Sequence, residues 1–141
     1  MEISVHSIEV PAGHRLLGYD GRCAYLHGHN YVFSVSVEGN PNAIGLVLDY
    51  TDLKTRIRSV LDQFDHSMVL NGDDPFVSKL GLSRLVLLNC NPSAENIASL
   101  VFTLLYDTGL KVTRVECHES MNTSAVATRV NRQVRILEVR I

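Results

Sequence analysis

The chain has 141 residues, of which 45% are hydrophobic and 20% charged, a balance that predicts one folded domain over residues 1–141 rather than a disordered chain. Its net charge of −2 gives no electrostatic basis for binding nucleic acid. No apolar run approaches the ~20 residues of a membrane span, and an odd count of three cysteines argues against a disulfide framework, so we expect a cytoplasmic protein.

Two alternating segments near the N-terminus predict β-strands. They read EISVHSIEV and NYVFSVSVEG, and the second is rich in β-branched and aromatic residues. A long, glycine-rich loop, PAGHRLLGYDGRCAYLHGH, is predicted between them. Because long ordered loops in small domains usually carry function, this segment is a candidate location for a site.

Two helices follow in the middle of the chain. The first is predicted over TDLKTRIRSVLDQF, where apolar residues recur at helical spacing and Thr51 can cap the start. The second is predicted over NPSAENIASLVFTLLYDTG, with Ser93 as its cap and Gly109 as its stop.

Further strands are predicted by GLVLDY, which precedes the first helix, and by the alternating closing segments KVTRVECHES and RQVRILEVRI. The principal order of strand, strand, helix, helix, strand, strand predicts an α+β fold with a four-stranded antiparallel sheet and two helices on one face. Such a sheet has two open edges, which proteins commonly protect by pairing with other subunits. We therefore expect a homo-oligomer.

The segment RCAYLHGHNY brings Cys23 close in sequence to His27 and His29. On an extended chain, residues i and i+2 point to the same face, so the two imidazoles would project together. His14 precedes them in the predicted loop, and three neutral imidazoles with an open fourth position form a catalytic zinc site. The alternative is a surface histidine pair on a loop, with His14 as an ordinary polar residue.

Two further positions carry acidic side chains of interest. Asp65 and His66 are adjacent at the end of the first predicted helix, where an aspartate can hold the tautomer of a histidine and raise its basicity. The alternative is a capping or solvated pair. Glu119 falls on the same strand face as Val115 and Cys117, and an inward carboxylate suits a ligand with two parallel N–H donors, such as an aminopyrimidinone edge. Its alternative is an edge residue in water.

Taken in order and spacing, AGHRL, GRCAYLHGHNY, GLVLDYTDLK, FDHSMVLN, NPSAENIA and a final ES resemble the 6-pyruvoyltetrahydropterin synthase family, from about His14 to Ser120. The C-x-x-x-H-G-H spacing is most similar to the queuosine-pathway branch of that family, the bacterial 6-carboxytetrahydropterin synthases. Two departures stand out. The Asp-His motif reaches Asn71 one residue later than in the family, and the stretch from Gly72 to Asn91 is longer than in compact members.

The resemblance implies the tunnelling fold, in which subunits close their sheets into a β-barrel, commonly as a hexamer of two trimers with active sites between subunits. It also implies Zn²⁺ as the cofactor. By resemblance, the site residues are the zinc ligands His14, His27 and His29, the proton-abstracting thiolate Cys23, the catalytic pair Asp65 and His66, and the pterin anchor Glu119.

The implied activity is that of a zinc-dependent lyase that converts 7,8-dihydroneopterin triphosphate to 6-carboxy-5,6,7,8-tetrahydropterin, with release of acetaldehyde and triphosphate. Arg15 and Arg22 are candidates for phosphate contacts, the alternative being a solvated basic loop. Three other functions stay open: the pyruvoyl-forming synthase, the folate-route variant, and a catalytically silent homologue that binds zinc and pterin. By the same resemblance, Cys23 counts against the folate-route variant.

Overall fold

The computed structural model describes all of residues 1–141. Its strands are β1 (Glu2–His14), β2 (His27–Glu38), β3 (Met68–Asn71), β4 (Leu85–Leu88), β5 (Val112–Ser120), β6 (Thr123–Ala127) and β7 (Ile136–Arg140). Its helices are α1 (Tyr50–Leu61), α2 (Phe76–Lys79) and α3 (Ala94–Asp107). All seven strands form one sheet in the order β6-β5-β2-β1-β3-β4-β7, so the predicted α+β class is confirmed.

The sheet is larger than predicted, because seven strands replace the expected four and three helices replace the expected two. It is also mixed, since β3 pairs in parallel with both β1 and β4. β3 and β4 have only four residues each, which is too short for alternation to show in the sequence. β6 escaped prediction too, because most of its residues are exposed and polar or small.

β1 and β2 form a long antiparallel hairpin in which Ala12 pairs with His29 and His14 pairs with His27. The loop predicted between them is therefore shorter than expected, since both of its ends belong to strands. The connection covers residues 15–26 and contains a single 3-10 turn at Arg22–Ala24. The hairpin thus places the end of β1 beside the start of β2.

The two long helices differ in how well their starts were predicted. Asp49, and not Thr51, caps α1, because the Asp49 carboxylate accepts the N–H groups of Thr51 and Asp52. The segment before it bends and turns instead of forming the strand predicted over GLVLDY. α3 agrees with prediction: the Ser93 hydroxyl accepts the N–H of Asn96, and Gly109 follows the helix with a φ of 92°, a region that favours glycine.

α1 and α3 cover one face of the sheet, where the main apolar core lies. The buried side chains that they contribute include Leu53, Ile57, Leu61, Ile97, Val101 and Leu105. The short helix α2 accompanies a second, smaller cluster of Leu70, Leu85 and Leu87. β6 and β7 are the two edge strands, and no helix is both long and apolar enough to cross a membrane.

Candidate active site

The hairpin brings the three predicted metal ligands together. His14 ends β1, His27 starts β2 directly opposite it, and His29 lies two residues further on the same strand face. The ring centroids lie 4.5–5.1 Å apart. One ligand atom from each residue can be chosen so that all three lie within 4.8 Å of one another.

Backbone carbonyls fix the orientation of two of these rings. Nδ1 of His14 lies 2.7 Å from the Pro92 carbonyl oxygen, and Nδ1 of His27 lies 2.6 Å from the Tyr25 carbonyl oxygen. A carbonyl only accepts, so each Nδ1 must carry the proton, and each neutral ring then presents a bare lone pair at Nε2. The two Nε2 atoms face each other at 3.0 Å.

His29 and Glu119 each place a polar atom beside this pair. Nε2 of His29 is buried without a hydrogen-bond partner. Oε1 of Glu119 lies 3.3 Å from Nε2 of His14 and 3.7 Å from Nε2 of His29. Burial lowers the pKa of both His14 and His29, which favours neutral rings. Three imidazoles that converge beside a carboxylate fit a transition-metal cation.

Cys23 lies half-exposed in the 3-10 turn of the connection between the histidine-bearing strands. Its carbonyl accepts the N–H of Leu16 at 2.8 Å, so the 3-10 turn is bonded to the start of the connection. The other two thiols are less suited to proton transfer, because burial raises the pKa of both Cys90 and Cys117. The catalytic role of Cys23 stays a prediction.

Arg15 is engaged by partners within the chain, and the phosphate contact considered for it stays a prediction. Its guanidinium forms a bidentate ion pair with the buried Asp74, with N–O distances of 2.6 and 2.8 Å, and also donates to the Ala24 carbonyl at 3.1 Å. It lies over the ring of Phe76 as well, 4.2 Å from the centroid. Arg15 therefore ties the Cys23 turn to the β3–β4 connection. The phosphate contact of exposed Arg22 stays a prediction as well.

Burial of the Asp74 carboxyl raises its pKa, but the hydrogen bonds from Arg15 and from the Phe76 N–H, together with the Arg15 charge, lower it by more. The pKa of Asp74 therefore lies below its ordinary value. The carboxylate stays ionised at neutral pH, so the ion pair is permanent under physiological conditions.

Asp65 and His66 follow α1 in a turn, where His66 has a φ of 56°. Nδ1 of His66 lies 2.5 Å from Oδ1 of Asp65, so the two adjacent residues do interact. The His66 side chain is 77% exposed and its backbone N–H donates to the Pro11 carbonyl. Within one chain, neither residue forms a hydrogen bond or ion pair with the three histidines.

Two cavities adjoin these groups. The first, which we call the Glu119 cavity, has a volume of about 600 Å³, is lined by Glu9, Asn30, Glu119 and Ser120 among others, and has no lysine or arginine in its lining. The second, which we call the Arg84 cavity, has a volume of about 430 Å³ and lies beside His66. Both volumes are in the range of small-molecule sites.

Residues 2–130 match the model of the 6-pyruvoyl tetrahydropterin synthase family. The chain belongs to this family. It is 32% and 34% identical to the 6-carboxy-5,6,7,8-tetrahydropterin synthases of Rickettsia typhi and Rickettsia bellii over 126 residues, which cover 82% of the chain and 91% of each relative.

Solved structures show the same fold. A 6-pyruvoyl tetrahydropterin synthase of Plasmodium falciparum superposes with a TM-score of 0.72 at 20% identity, covering 93% of this chain and 98% of that one. An uncharacterized protein of Wolinella succinogenes superposes with a TM-score of 0.76 at 21% identity, covering 92% and 98%. The tunnelling fold expected of a 6-pyruvoyl tetrahydropterin synthase is thereby confirmed, and β7 lies beyond the residues that match the family model.

Three residues of this region escaped the sequence analysis: Asp74, Arg84 and Asn91. The Asn91 amide bonds both the N–H and the carbonyl of Leu17, each at 2.9 Å, and so holds the connection that carries Cys23. All three lie between Gly72 and Asn91, the stretch that by resemblance is longer than in compact family members. That extra length was the available signal, but it did not show which side chains would face the site.

Proposed function

We propose that this 6-pyruvoyl tetrahydropterin synthase family member is a zinc-dependent lyase that forms 6-carboxy-5,6,7,8-tetrahydropterin from 7,8-dihydroneopterin triphosphate, consuming water and releasing acetaldehyde and triphosphate. The observation that carries the proposal is the convergence of the three histidine Nε2 atoms beside Glu119. The relatives above 30% identity that bear the 6-carboxy name support this product.

In this proposal His14, His27 and His29 hold the zinc ion and leave a fourth position for the substrate. Bound zinc supplies Lewis acidity to the oxygen atoms of the substrate side chain, which makes the neighbouring C–H protons removable. The carbonyl oxygens of Pro92 and Tyr25 act on the ligands themselves, because they fix the ring orientation of His14 and His27 and raise ligand basicity.

Glu119 is proposed to bind the pterin ring. Its carboxylate is 27% exposed and lines the Glu119 cavity, so it is accessible from the side that a ring would enter. An ionised carboxylate can accept both the ring N–H and the exocyclic amine in parallel. Its distance of 3.3 Å from His14 Nε2 would also hold the bound ring close to the metal ligands.

Cys23 and His66 are proposed to transfer the protons, with Asp65 holding the His66 tautomer. Because Asp65 and His66 have no contact with the histidine cluster in one chain, a neighbouring subunit would supply them. This arrangement agrees with the expected homo-oligomer, a hexamer of two trimers whose sheets close into a β-barrel through edges such as β6 and β7.

The test is to incubate the zinc-loaded protein with 7,8-dihydroneopterin triphosphate, quantify released triphosphate and identify the pterin product by mass spectrometry. We expect the 6-carboxy product together with acetaldehyde. A 6-pyruvoyl product would instead support the second candidate, which the name of the matching family model favours. Absence of triphosphate release would contradict both and would support a catalytically silent homologue.

A further inference from the structure

The Arg84 cavity has a lining suited to an anion. Its walls are the Pro11–Gly13 end of β1 and the residues that precede β3 and β4. The polar side chains among its lining residues are those of His66, Ser67, Ser83 and Arg84, and no carboxylate belongs to the lining. The chain has a net charge of −2, yet the charged side chain of this lining is an arginine. The Glu119 cavity has the opposite composition, with glutamates and no lysine or arginine.

Arg84 has hydrogen-bonding capacity that the chain does not use. Its guanidinium makes one hydrogen bond, from Nη2 to the Asp65 carbonyl oxygen at 3.0 Å, and no ion pair with a carboxylate. Its Nε is buried without a partner. A guanidinium has five N–H donors, and leaving a buried donor unsatisfied is unfavourable. An oxyanion in the cavity would accept from the N–H groups with which Arg84 lines it.

The cavity is also linked to the proposed proton-transfer pair. Asp65 accepts from Arg84 through its backbone carbonyl and contacts His66 through its carboxylate. His66 and Arg84 therefore both contact Asp65, one through its carboxylate and the other through its carbonyl, and both line the cavity. Any anion bound by Arg84 would lie beside the imidazole of His66.

We infer that the Arg84 cavity binds the triphosphate group of the substrate, with Arg84 as the anchoring cation. The guanidinium fork matches phosphate oxygens bidentately, and the Ser83 side chain borders the same space. The inference rests on the proposed function, since it assigns a place to one half of the proposed substrate. The Glu119 cavity takes the ring, which offers N–H donors, and the Arg84 cavity takes the phosphates. Because the neighbouring subunit would supply His66, it would supply Arg84 with it.

The experiment compares two ligands on zinc-loaded protein. KM and kcat are measured with 7,8-dihydroneopterin triphosphate, and the Kd of unphosphorylated 7,8-dihydroneopterin is measured by titration. We expect Arg84→Gln to raise KM at least tenfold while the Kd of dihydroneopterin stays within twofold. Arg129→Gln, which removes an exposed arginine that forms no ion pair, is the control and should change neither value. We also expect the KM of the wild type to rise with salt and that of Arg84→Gln to rise much less.

If Arg84→Gln fails to fold, Arg84→Lys retains the charge without the fork, and its KM should rise less than tenfold yet keep its salt dependence. An unchanged KM in Arg84→Gln, or an equal loss of affinity for the unphosphorylated pterin, would overturn the inference. Loss of KM salt dependence in Arg84→Lys would overturn it as well. Failure of the wild type to bind the pterin or release triphosphate would instead overturn the proposed function.

Discussion

The three histidines lie on paired β-strands, whereas Asp65, His66 and Arg84 lie around a turn. In the first region, the pairing of His14 with His27 fixes where the side chains point, because side chains directly opposite each other share a face. In the second region, a positive φ at His66 and a bond from Arg84 to a backbone carbonyl set the geometry. Spacing in sequence thus determines geometry on strands, while turns depend on contacts from distant segments.

The two regions also differ in charge. Lone pairs of histidines and the Glu119 carboxylate converge at the strand region, which therefore calls for a cation and for N–H donors. The turn region presents the Arg84 guanidinium, which has no carboxylate partner and therefore calls for an anion, beside the His66 imidazole, whose Nδ1 contacts the Asp65 carboxylate. A dihydropterin triphosphate has N–H donors on its ring and negative charge on its phosphates. The ring therefore suits the strand region, and the triphosphate suits the turn region.

The largest expected effect is on metal binding by the strand region. His27→Ala should lower bound zinc from about one ion per subunit to near zero, because two remaining imidazoles do not hold a catalytic zinc ion. Metal analysis after gel filtration measures this. The control is His118→Ala, whose side chain pairs with Glu116 and is no part of the cluster. Full zinc content in His27→Ala would show that the strands do not define the site.

A second effect concerns the ion pair that joins the two regions, since Arg15 follows His14 and Asp74 lies in the β3–β4 connection. Asp74→Ala should lower the free energy of unfolding by about 3 kcal/mol, because it leaves a largely buried guanidinium without its partner. Denaturant unfolding measures this. Asp107→Ala breaks an equally bidentate pair with Arg132 on the surface and should change stability little.

The same pair predicts a pH dependence. Because the folded-state pKa of Asp74 is lowered, the pair stabilises the protein above the ordinary aspartate pKa of about 4, and the contribution is lost as pH falls through the folded value. The stability difference between wild type and Asp74→Asn should therefore shrink between pH 6 and pH 3. A difference that stays constant over this range would mean that the ion pair contributes nothing.

A third prediction separates the two faces of β5. Glu119→Gln should weaken pterin binding by at least about 2 kcal/mol, because an NH₂ group replaces an acceptor of charge-assisted hydrogen bonds, while the three histidines still hold zinc. Glu116→Gln is the control, since its carboxylate already contacts Arg114, Ser124 and His118 and none of the three histidines of the metal cluster. Titration with a pterin decides between them, and greater damage from Glu116→Gln would refute the assignment.

The smallest effect is expected on stability, from removing the hydroxyl of Tyr31, which packs against the predicted metal ligands. The Tyr31 ring packs against His14 and His29, its hydroxyl is buried without a partner, and burial raises its pKa. Tyr31→Phe should therefore leave the free energy of unfolding unchanged or raise it by up to about 1 kcal/mol. A loss of stability in thermal or denaturant unfolding would show that the hydroxyl has a hydrogen-bond partner. Because the chain itself supplies none, that partner would come from outside the single chain.

The sequence predicted what periodicity and spacing encode. The face shared by His27 and His29, the long strands and both ends of α3 agree with the structure, because each depends on neighbours in sequence. The seven-stranded sheet and the Arg15–Asp74 pair could not be predicted, because each depends on contacts that form only when the chain folds. The Asp49 cap is a local contact, but Asp49 and Thr51 are both suitable capping residues and the pattern alone does not choose between them. Arg84 could not be predicted either, since only the folded chain buries its Nε away from any hydrogen-bond partner.

If the two regions form one active site across subunits, two inactive variants that each lack a different catalytic residue should complement each other in mixed oligomers. Cys23→Ala and His66→Ala should each lower kcat by about 10²–10⁴-fold. When the two variants are co-expressed and assemble at random, about a quarter of sites would combine an intact Cys23 from one subunit with an intact His66 from another. We expect kcat of the mixed oligomers to recover to about this fraction of the wild-type value. Mixed oligomers no more active than either variant alone would show that the two regions do not share a site.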